Sequence, residues 1–360
     1  MDIVFVGLSV TSSWGNGHAT NYRGLMRALE AAGHVVTFLE RDMPWYAGQR
    51  DLPAPPWGET FLYGSFDELT RTHADRVREA DAVIVGSYVP QGVAVGNWVC
   101  RTARGVTAFY DIDTPVTLEK LEAGDQEYLS RELVRRYELY LSFTGGPTLE
   151  RLEREFGSPR ARAFYCMVDP DGYYPDGREP RWDLGYLGTY SADRQPSLDE
   201  LLLQPAMAES SRRFAVAGPQ YPQTIDWPLN VERIEHLPPP RHGGFYNAQR
   251  FTLNVTRTQM IQAGCSPSVR LFEAAACAVP VISDRWTGLG EFFRLDSEIL
   301  IADDRDQVRG YLRDIADPQR HDIGRRARER VLRDHTAHAR AAELVALLQS
   351  VEPALGRSPT

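Results

Sequence analysis

Several things are missing from this sequence, and each removes a class of function. No apolar stretch approaches the roughly 18 residues of a membrane span, so no transmembrane segment is expected. No run of five basic residues occurs, and the net charge is −9. That argues against nucleic acid as a ligand, because binding a phosphate backbone needs concentrated positive charge. Cysteines number only four (Cys100, Cys166, Cys265, Cys277), with no CxxC pair and no Cys/His spacing of a metal site. Reduced thiols and no metal centre are the expectation. The amino terminus lacks the basic segment of a secretion signal, so a cytoplasmic location is expected, with peripheral membrane contact left open. Finally, neither GxGxxG nor GxxxxGK[ST] is present, which removes the usual dinucleotide and P-loop readings.

What is there is an ordinary globular composition, 42% hydrophobic and 25% charged. The 360 residues exceed a comfortable single α/β core and suggest two domains. Short apolar runs alternate with helical patterns, the signature of βαβ units and parallel sheets. Strands are expected at 2–9, 34–41, 81–87, 106–111, 139–144 and 161–166, with helices at 21–32, 67–80, 92–103, 117–121, 130–137 and 147–156. The pattern breaks at Met-Val-Asp-Pro-Asp-Gly, 167–172, read as a linker. A second series follows, with strands at 183–190, 213–218, 231–236, 251–256, 279–283 and 298–301. Its helices are expected at 197–203, 267–277, 288–293, 305–315, 319–334 and 337–351. The expected organisation is an amino-terminal doubly wound domain over 1–168, a second over 169–335, and a closing helix and tail over 336–360. That last helix either crosses back to the first domain or simply packs. The tail at 356–360 is expected to be disordered. In doubly wound folds ligands bind beyond the carboxyl ends of the strands.

Three segments in the first half sit at such strand ends. The long loop 11–20 carries Gly15, Asn16, Gly17 and His18 and leads into a helix capped by Thr20 or Asn21, a place for an anion or a reacting sugar. His18 is an acid/base or carbonyl-positioning candidate. Asp111 and Asp113 close the strand of 106–111. They read as a metal-binding DxD, as a general base for a hydroxyl, or as a helix start before Pro115. Gly145 and Gly146 form another turn at the same end, open to a ligand or simply tight.

The richest segment runs from 251 to 293. A buried strand ends in Arg257, and after a loop Ser266 and Pro267 read as the cap and first residue of a helix, leaving the N–H groups of Ser268 and Val269 for a phosphate. Within that helix Glu273 stands among Leu271, Phe272 and three alanines. A carboxylate there needs a partner, either ribose hydroxyls or Arg270 one turn away.

The run 268–284 resembles the nucleotide-binding helix and strand of glycosyltransferases of group 1, which have the GT-B fold of two Rossmann-like domains facing across a cleft. The segments 12–19, 111–115, 142–147, 184–195, 251–257 and 266–284 are similar to bacterial relatives of the spore maturation protein CgeB. The resemblance implies transfer of a sugar from a nucleotide sugar (a UDP-, GDP- or dTDP-sugar) to a glycan, lipid-linked or small-molecule acceptor, with no metal or other cofactor. It assigns Glu273 to the ribose. Arg194, Arg257 and Arg270 are the candidates for the diphosphate, with Tyr190 in the loop beside it and Gly218 and His236 near the base. His18, Asp111 and Asp113 fall on the catalytic side, and Gly15, Asn16, Gly17, Gly145 and Gly146 on the acceptor or sugar side. Related retaining enzymes carry a second glutamate eight residues before the first; here Cys265 stands there, so retention, the favoured outcome, loses one support. Rival expectations are an epimerase or phosphorylase on the same fold, and a sensor that binds nucleotide sugars without turnover.

Overall fold

The computed structural model describes residues 1–14 and 17–351, so Gly15, Asn16 and the tail lie outside the described residues. The chain divides into two compact units, Met1–Cys166 with Ala337–Thr360, and Met167–Thr336.

The first unit is a seven-stranded parallel sheet in the order β3-β2-β1-β4-β5-β6-β7. Its strands are β1 (Asp2–Gly7), β2 (Val35–Arg41), β3 (Glu59–Tyr63), β4 (Ala82–Gly86), β5 (Val106–Asp111), β6 (Leu139–Ser142) and β7 (Ala161–Ala163). β1, β4 and β5 are buried almost throughout, as expected of strands covered on both faces. Edge strand β3 is new. The prolines at 53, 55 and 56 hide it in the sequence, and its apolar residues alternate with exposed ones. The expected helix 67–80 is broken at His73 into Phe66–Thr72 and Ala74–Glu79, and a short helix Pro44–Ala47 follows β2. The closing helix Ala337–Gln349 packs on His18–Ala31, where a Cβ on Gly24 would come 3.3 Å from Cβ of Ala337.

The second unit is a six-stranded parallel sheet, β10-β9-β8-β11-β12-β13. It is built from β8 (Trp182–Leu187), β9 (Phe214–Ala217), β10 (Val231–Ile234), β11 (Gln249–Asn254), β12 (Val281–Ser283) and β13 (Leu300–Ile301). The helix expected at 197–203 extends from 195 to 208 and contains a π turn at Asp199–Leu203. Helices His242–Asn247 and Thr258–Ala263 occupy segments that read as loop. The chain enters and leaves the unit side by side, since Val168 N donates to His335 O at 3.0 Å. Both sheets wind outward from their first strand, so the order reverses between β1 and β4 and again between β8 and β11. Because all strands are parallel, each reversal opens at their carboxyl ends.

Candidate functional site

At the second reversal, Gly188 follows directly on β8. A Cβ there would lie 2.7 Å from the Tyr186 hydroxyl and 2.9 Å from Nη2 of Arg270, so only glycine fits. Gly218, after β9, has φ of +140° and would drive a Cβ to 2.0 Å from the Gly188 carbonyl. Backbone and cation are thus brought together at one edge.

Arg270 is buried beneath this turn. Its Nε donates to Leu187 O at 2.6 Å, its Nη1 to Asn254 Oδ1 at 2.9 Å, and its guanidinium lies 4.8 Å from the Tyr186 ring centroid. Asn254 Oδ1 also accepts from Ser268 Oγ at 2.9 Å, while Asn254 Nδ2 donates to Thr256 Oγ1 and Ser283 Oγ. Thr256 in turn donates from N and Oγ1 to Asp284, both at 2.8 Å. Burial raises the Asp284 carboxyl above its usual range, opposed by those bonds. These contacts correct one expectation. The helix begins at Val269, not at Pro267, and Ser266 is not its cap. Ser268 holds the capping position in extended backbone, but its hydroxyl is spent on Asn254 rather than on the helix.

Arg194 approaches the same edge from the loop after β8. Its Nη2 donates to Thr189 O at 2.6 Å, and its Nε is buried with no partner. Burial, then the positive charges of Arg270 and Arg257, hold Arg194 below its usual range. Arg257 is exposed just past β11. Among the described residues no carboxylate forms an ion pair with Arg194, Arg257 or Arg270, whereas most other ion pairs of the chain are made by arginines. Asp193 and Asp284 feel the charges of Arg194 and Arg270 without pairing with them, so the three like charges stand together with no direct ion pair among the described residues.

Glu273 lies one turn into Val269–Ala276 and is 6% exposed. It is not paired with Arg270: Tyr246 OH donates to its Oε2 at 2.9 Å. The carboxylate's cost in an apolar helix is thus offset in part by a tyrosine hydroxyl. Tyr190 donates its backbone N–H to Pro219 O at 3.0 Å and sets its ring edge-on to Tyr221 at 5.6 Å. His236 is exposed past β10. The sequence reading missed the stack beside them, in which Arg233 lies 4.3 Å from the Tyr221 ring centroid and 4.6 Å from that of Trp227.

At the first unit's reversal, the loop after β1 is pinned by two carboxylates that the sequence reading also missed. Fully buried Glu40 accepts from Val10 N (2.7 Å), Thr11 N (3.0 Å), Thr11 Oγ1 (2.6 Å) and Ser9 Oγ (3.0 Å). Asp51 accepts from Ser13 and from both terminal nitrogens of Arg23. His18 is the first residue of its helix, not part of the preceding loop, and Gly17 takes the cap position that Thr20 or Asn21 was expected to fill. The His18 ring stands edge-on to Tyr88 at 5.4 Å, and its Nδ1 is buried without a partner. Burial pushes the imidazole down to about 4, so it is neutral near pH 7.

Asp113 is half-buried and caps Thr114–Glu122, though its side chain makes no capping bond. Its Oδ2 accepts from Tyr88 OH at 3.2 Å. Asp111 is fully enclosed: Tyr140 OH donates to Oδ2 at 2.5 Å and Thr117 Oγ1 to Oδ1 at 2.8 Å. Burial raises it to about 6, opposed by those bonds. A carboxylate so wrapped does not itself meet a substrate hydroxyl. Among the described residues no group of three His, Cys, Asp or Glu side chains is disposed to hold an ion. Gly145 packs against Tyr165, where a Cβ would lie 1.9 Å from its hydroxyl, and Gly146 turns with φ of +57°. Among the described residues no helix is long and apolar enough to cross a membrane.

Residues 194–346 match a family model described as "Glycosyl transferase-like". No curated protein matches the chain. Among solved structures, sucrose-phosphate synthase from Thermosynechococcus elongatus is similar at 15% identity and TM-score 0.67, over 97% of this chain and 99% of that one. Anabaena Alr3699/HepE, solved with UDP and glucose, is similar at 12% identity and TM-score 0.69, over 98% and 100%. An alpha-glucosyltransferase, solved with UDP and a 13-mer DNA containing an HMU base, is similar at 13% identity and TM-score 0.70, over 97% and 99%. At these identities the likeness fixes the fold, and the matched segment spans the three arginines and Glu273. Residues 194–346 are thus similar to the glycosyl-transferase-like family, and the chain has the two-sheet GT-B fold of these solved structures.

Proposed function

We propose that the second unit binds a nucleoside diphosphate sugar and that the chain transfers the sugar to a hydroxyl acceptor. The observation that carries this reading is the convergence of Arg194, Arg257 and Arg270, unpaired with any carboxylate among the described residues, at the reversal of a parallel sheet. Their charge matches a diphosphate, and it is the charge a leaving diphosphate develops during transfer. Side-chain cations then do the work a divalent ion does elsewhere, so the reaction runs without added metal. The N–H groups of Ser268 and Val269 add to the same anion site. Glu273, oriented by Tyr246, binds the ribose hydroxyls. Tyr190, Gly218 and His236 border the base. The UDP and glucose held by Anabaena Alr3699/HepE, and the UDP held by the alpha-glucosyltransferase, support a nucleotide sugar as donor.

The acceptor belongs to the first unit, with Gly17, Gly145 and Gly146 on its side and Gly15 and Asn16 outside the described residues. Asp113, half-buried at the rim, takes the proton of the acceptor hydroxyl, and neutral His18 beside Tyr88 orients it. The donor and its outcome are tested together by incubating the protein with UDP-, GDP- and dTDP-sugars and a panel of acceptors, with and without EDTA, and reading the product's anomeric configuration by NMR. Inversion, undiminished by EDTA, is the result expected of a base at Asp113. Retention would mean that the leaving diphosphate removes the proton, and conversion of donor alone to an epimer would replace transfer altogether.

A further inference from the structure

We propose that Glu291 binds the hydroxyls of the donor sugar, and that the buried Cys265 thiol holds its carboxylate in place for that contact. The proposal deepens the reading of the second unit as a nucleotide-sugar site and rests on it. It assigns a substrate class: an uncharged sugar that offers free hydroxyls to a carboxylate.

Two loops carry the argument. They follow β11 and β12, neighbouring parallel strands, so both lie at the carboxyl edge of the sheet. Cys265 N in the first donates to Thr287 O in the second at 2.7 Å. Gly288, with φ of +94°, lies so close that a Cβ on it would come 2.5 Å from Cys265 Sγ and 2.8 Å from Cys265 Cα. Only a residue without a side chain lets the loops approach in this way. Beyond Gly288 the chain enters the short helix Leu289–Phe292, whose Phe292 packs on Phe272 with ring centroids 6.1 Å apart. Glu291 on that helix is exposed, and Cys265 Sγ donates to its Oε1 at 3.1 Å.

This contact sets a carboxylate beside the anion site. Ser268 is three residues after Cys265 in the chain, and three residues span at most about 11 Å. The sugar of a nucleotide sugar is bonded directly to the outer phosphate, so its hydroxyls fall in the same range of the N–H groups of Ser268 and Val269. Glu291 is not spent on a cation. It forms no ion pair among the described residues, whereas Glu298, seven residues on, pairs with Arg330 at 2.6 Å. Burial, reinforced by Glu291, raises the Cys265 thiol to about 11, so it stays protonated and remains a donor near pH 7. One S–H bond occupies one of about four acceptor positions of a carboxylate, which fixes its direction and leaves the others for hydroxyls. Bonds from hydroxyls to a carboxylate are charge-assisted and stronger than neutral ones, whereas a sugar with its own carboxylate is repelled. In the same loop as Thr287, Trp286 is 5% exposed and its indole N–H has no partner among the described residues. The loop thus keeps a donor as well as an acceptor that the chain does not use.

Glu291→Gln in the full-length protein removes the charge and keeps the shape. Calorimetric titration compares UDP with UDP-glucose, GDP with GDP-mannose and dTDP with dTDP-glucose in wild type and variant. For the pair that the wild type binds, the variant should hold the bare nucleotide within twofold of the wild-type affinity, which also shows that it is folded. It should bind the nucleotide sugar about tenfold or more weakly. An unchanged affinity for the nucleotide sugar, or a loss shared equally by the bare nucleotide, overturns the role of Glu291 and leaves the nucleotide site standing. Failure of every pair to bind the wild type overturns the donor site, and the role of Glu291 with it. Cys265→Ala should weaken the nucleotide sugar alone, severalfold, and Cys265→Ser, which keeps a donor there, should restore it; wild-type affinity in Cys265→Ala overturns the part given to the thiol. The substrate class is read on the wild type, where the uronate form of the bound sugar should bind at least tenfold more weakly than the neutral one. Equal binding of the two overturns that class.

Discussion

Asp111 and His18 are predicted to impose opposite and nearly cancelling pH dependences on the stability of the first unit. Burial raises Asp111 from 3.8 to about 6, so its contribution is fully present below pH 3.8 and lost as pH rises through about 6. At about 1.4 kcal/mol per pH unit, that span is worth about 3 kcal/mol. Burial lowers His18 from 6.5 to about 4, so its contribution is present above pH 6.5 and lost as pH falls through about 4. That span is worth up to about 3 kcal/mol, with the opposite sign. Replacing either residue should expose the slope of the other. In Asp111→Asn, stability should rise between pH 4 and 6.5 relative to wild type; in His18→Gln it should fall. Urea unfolding of the two variants and the wild type at half-unit pH steps reads the slopes, and the other titrating groups cancel in the differences. Parallel curves for all three proteins would refute the reasoning, because they would mean that neither group is desolvated in the folded chain.

Two further outcomes follow from the second unit. Tyr246→Phe removes a buried hydroxyl that donates to a carboxylate at 2.9 Å, a bond worth about 1.5–3 kcal/mol, and a Tm unchanged by calorimetry would contradict the pairing. Burial, reinforced by Glu291, pushes the Cys265 thiol up to about 11, so it should be alkylated by iodoacetamide at pH 8 far more slowly than a free thiol. Labelling at the free-thiol rate, located by mass spectrometry, would count against that environment.

Much of the fold was legible because parallel strands buried on both faces leave continuous apolar runs. Those of β1, β4, β5, β8 and β11 stood out, whereas β3, half-exposed at an edge behind three prolines, did not. Local rules overshot at Ser266-Pro267, a sound helix start by composition. There Cys265 turns with φ of +41° and Ser268 is tied to Asn254, so the helix waits until Val269. Glu273 was visible as a carboxylate in an apolar helix. The same signal marks Glu40 in Val-Val-Thr-Phe-Leu-Glu-Arg and would have found the group that pins the loop after β1. The tyrosine partners of Glu273 and Asp111, Tyr246 and Tyr140, come from distant parts of the sequence, and no local pattern announces them.

The most direct test of the account is calorimetric titration of UDP, GDP and dTDP into the wild type, Arg194→Ala, Arg257→Ala and Glu273→Ala. One diphosphate should bind the wild type. Each arginine variant should weaken it about tenfold or more, the loss expected of a charge-assisted hydrogen bond, and Glu273→Ala should weaken it as well. Undiminished binding in both arginine variants would contradict the assignment of the diphosphate to this site.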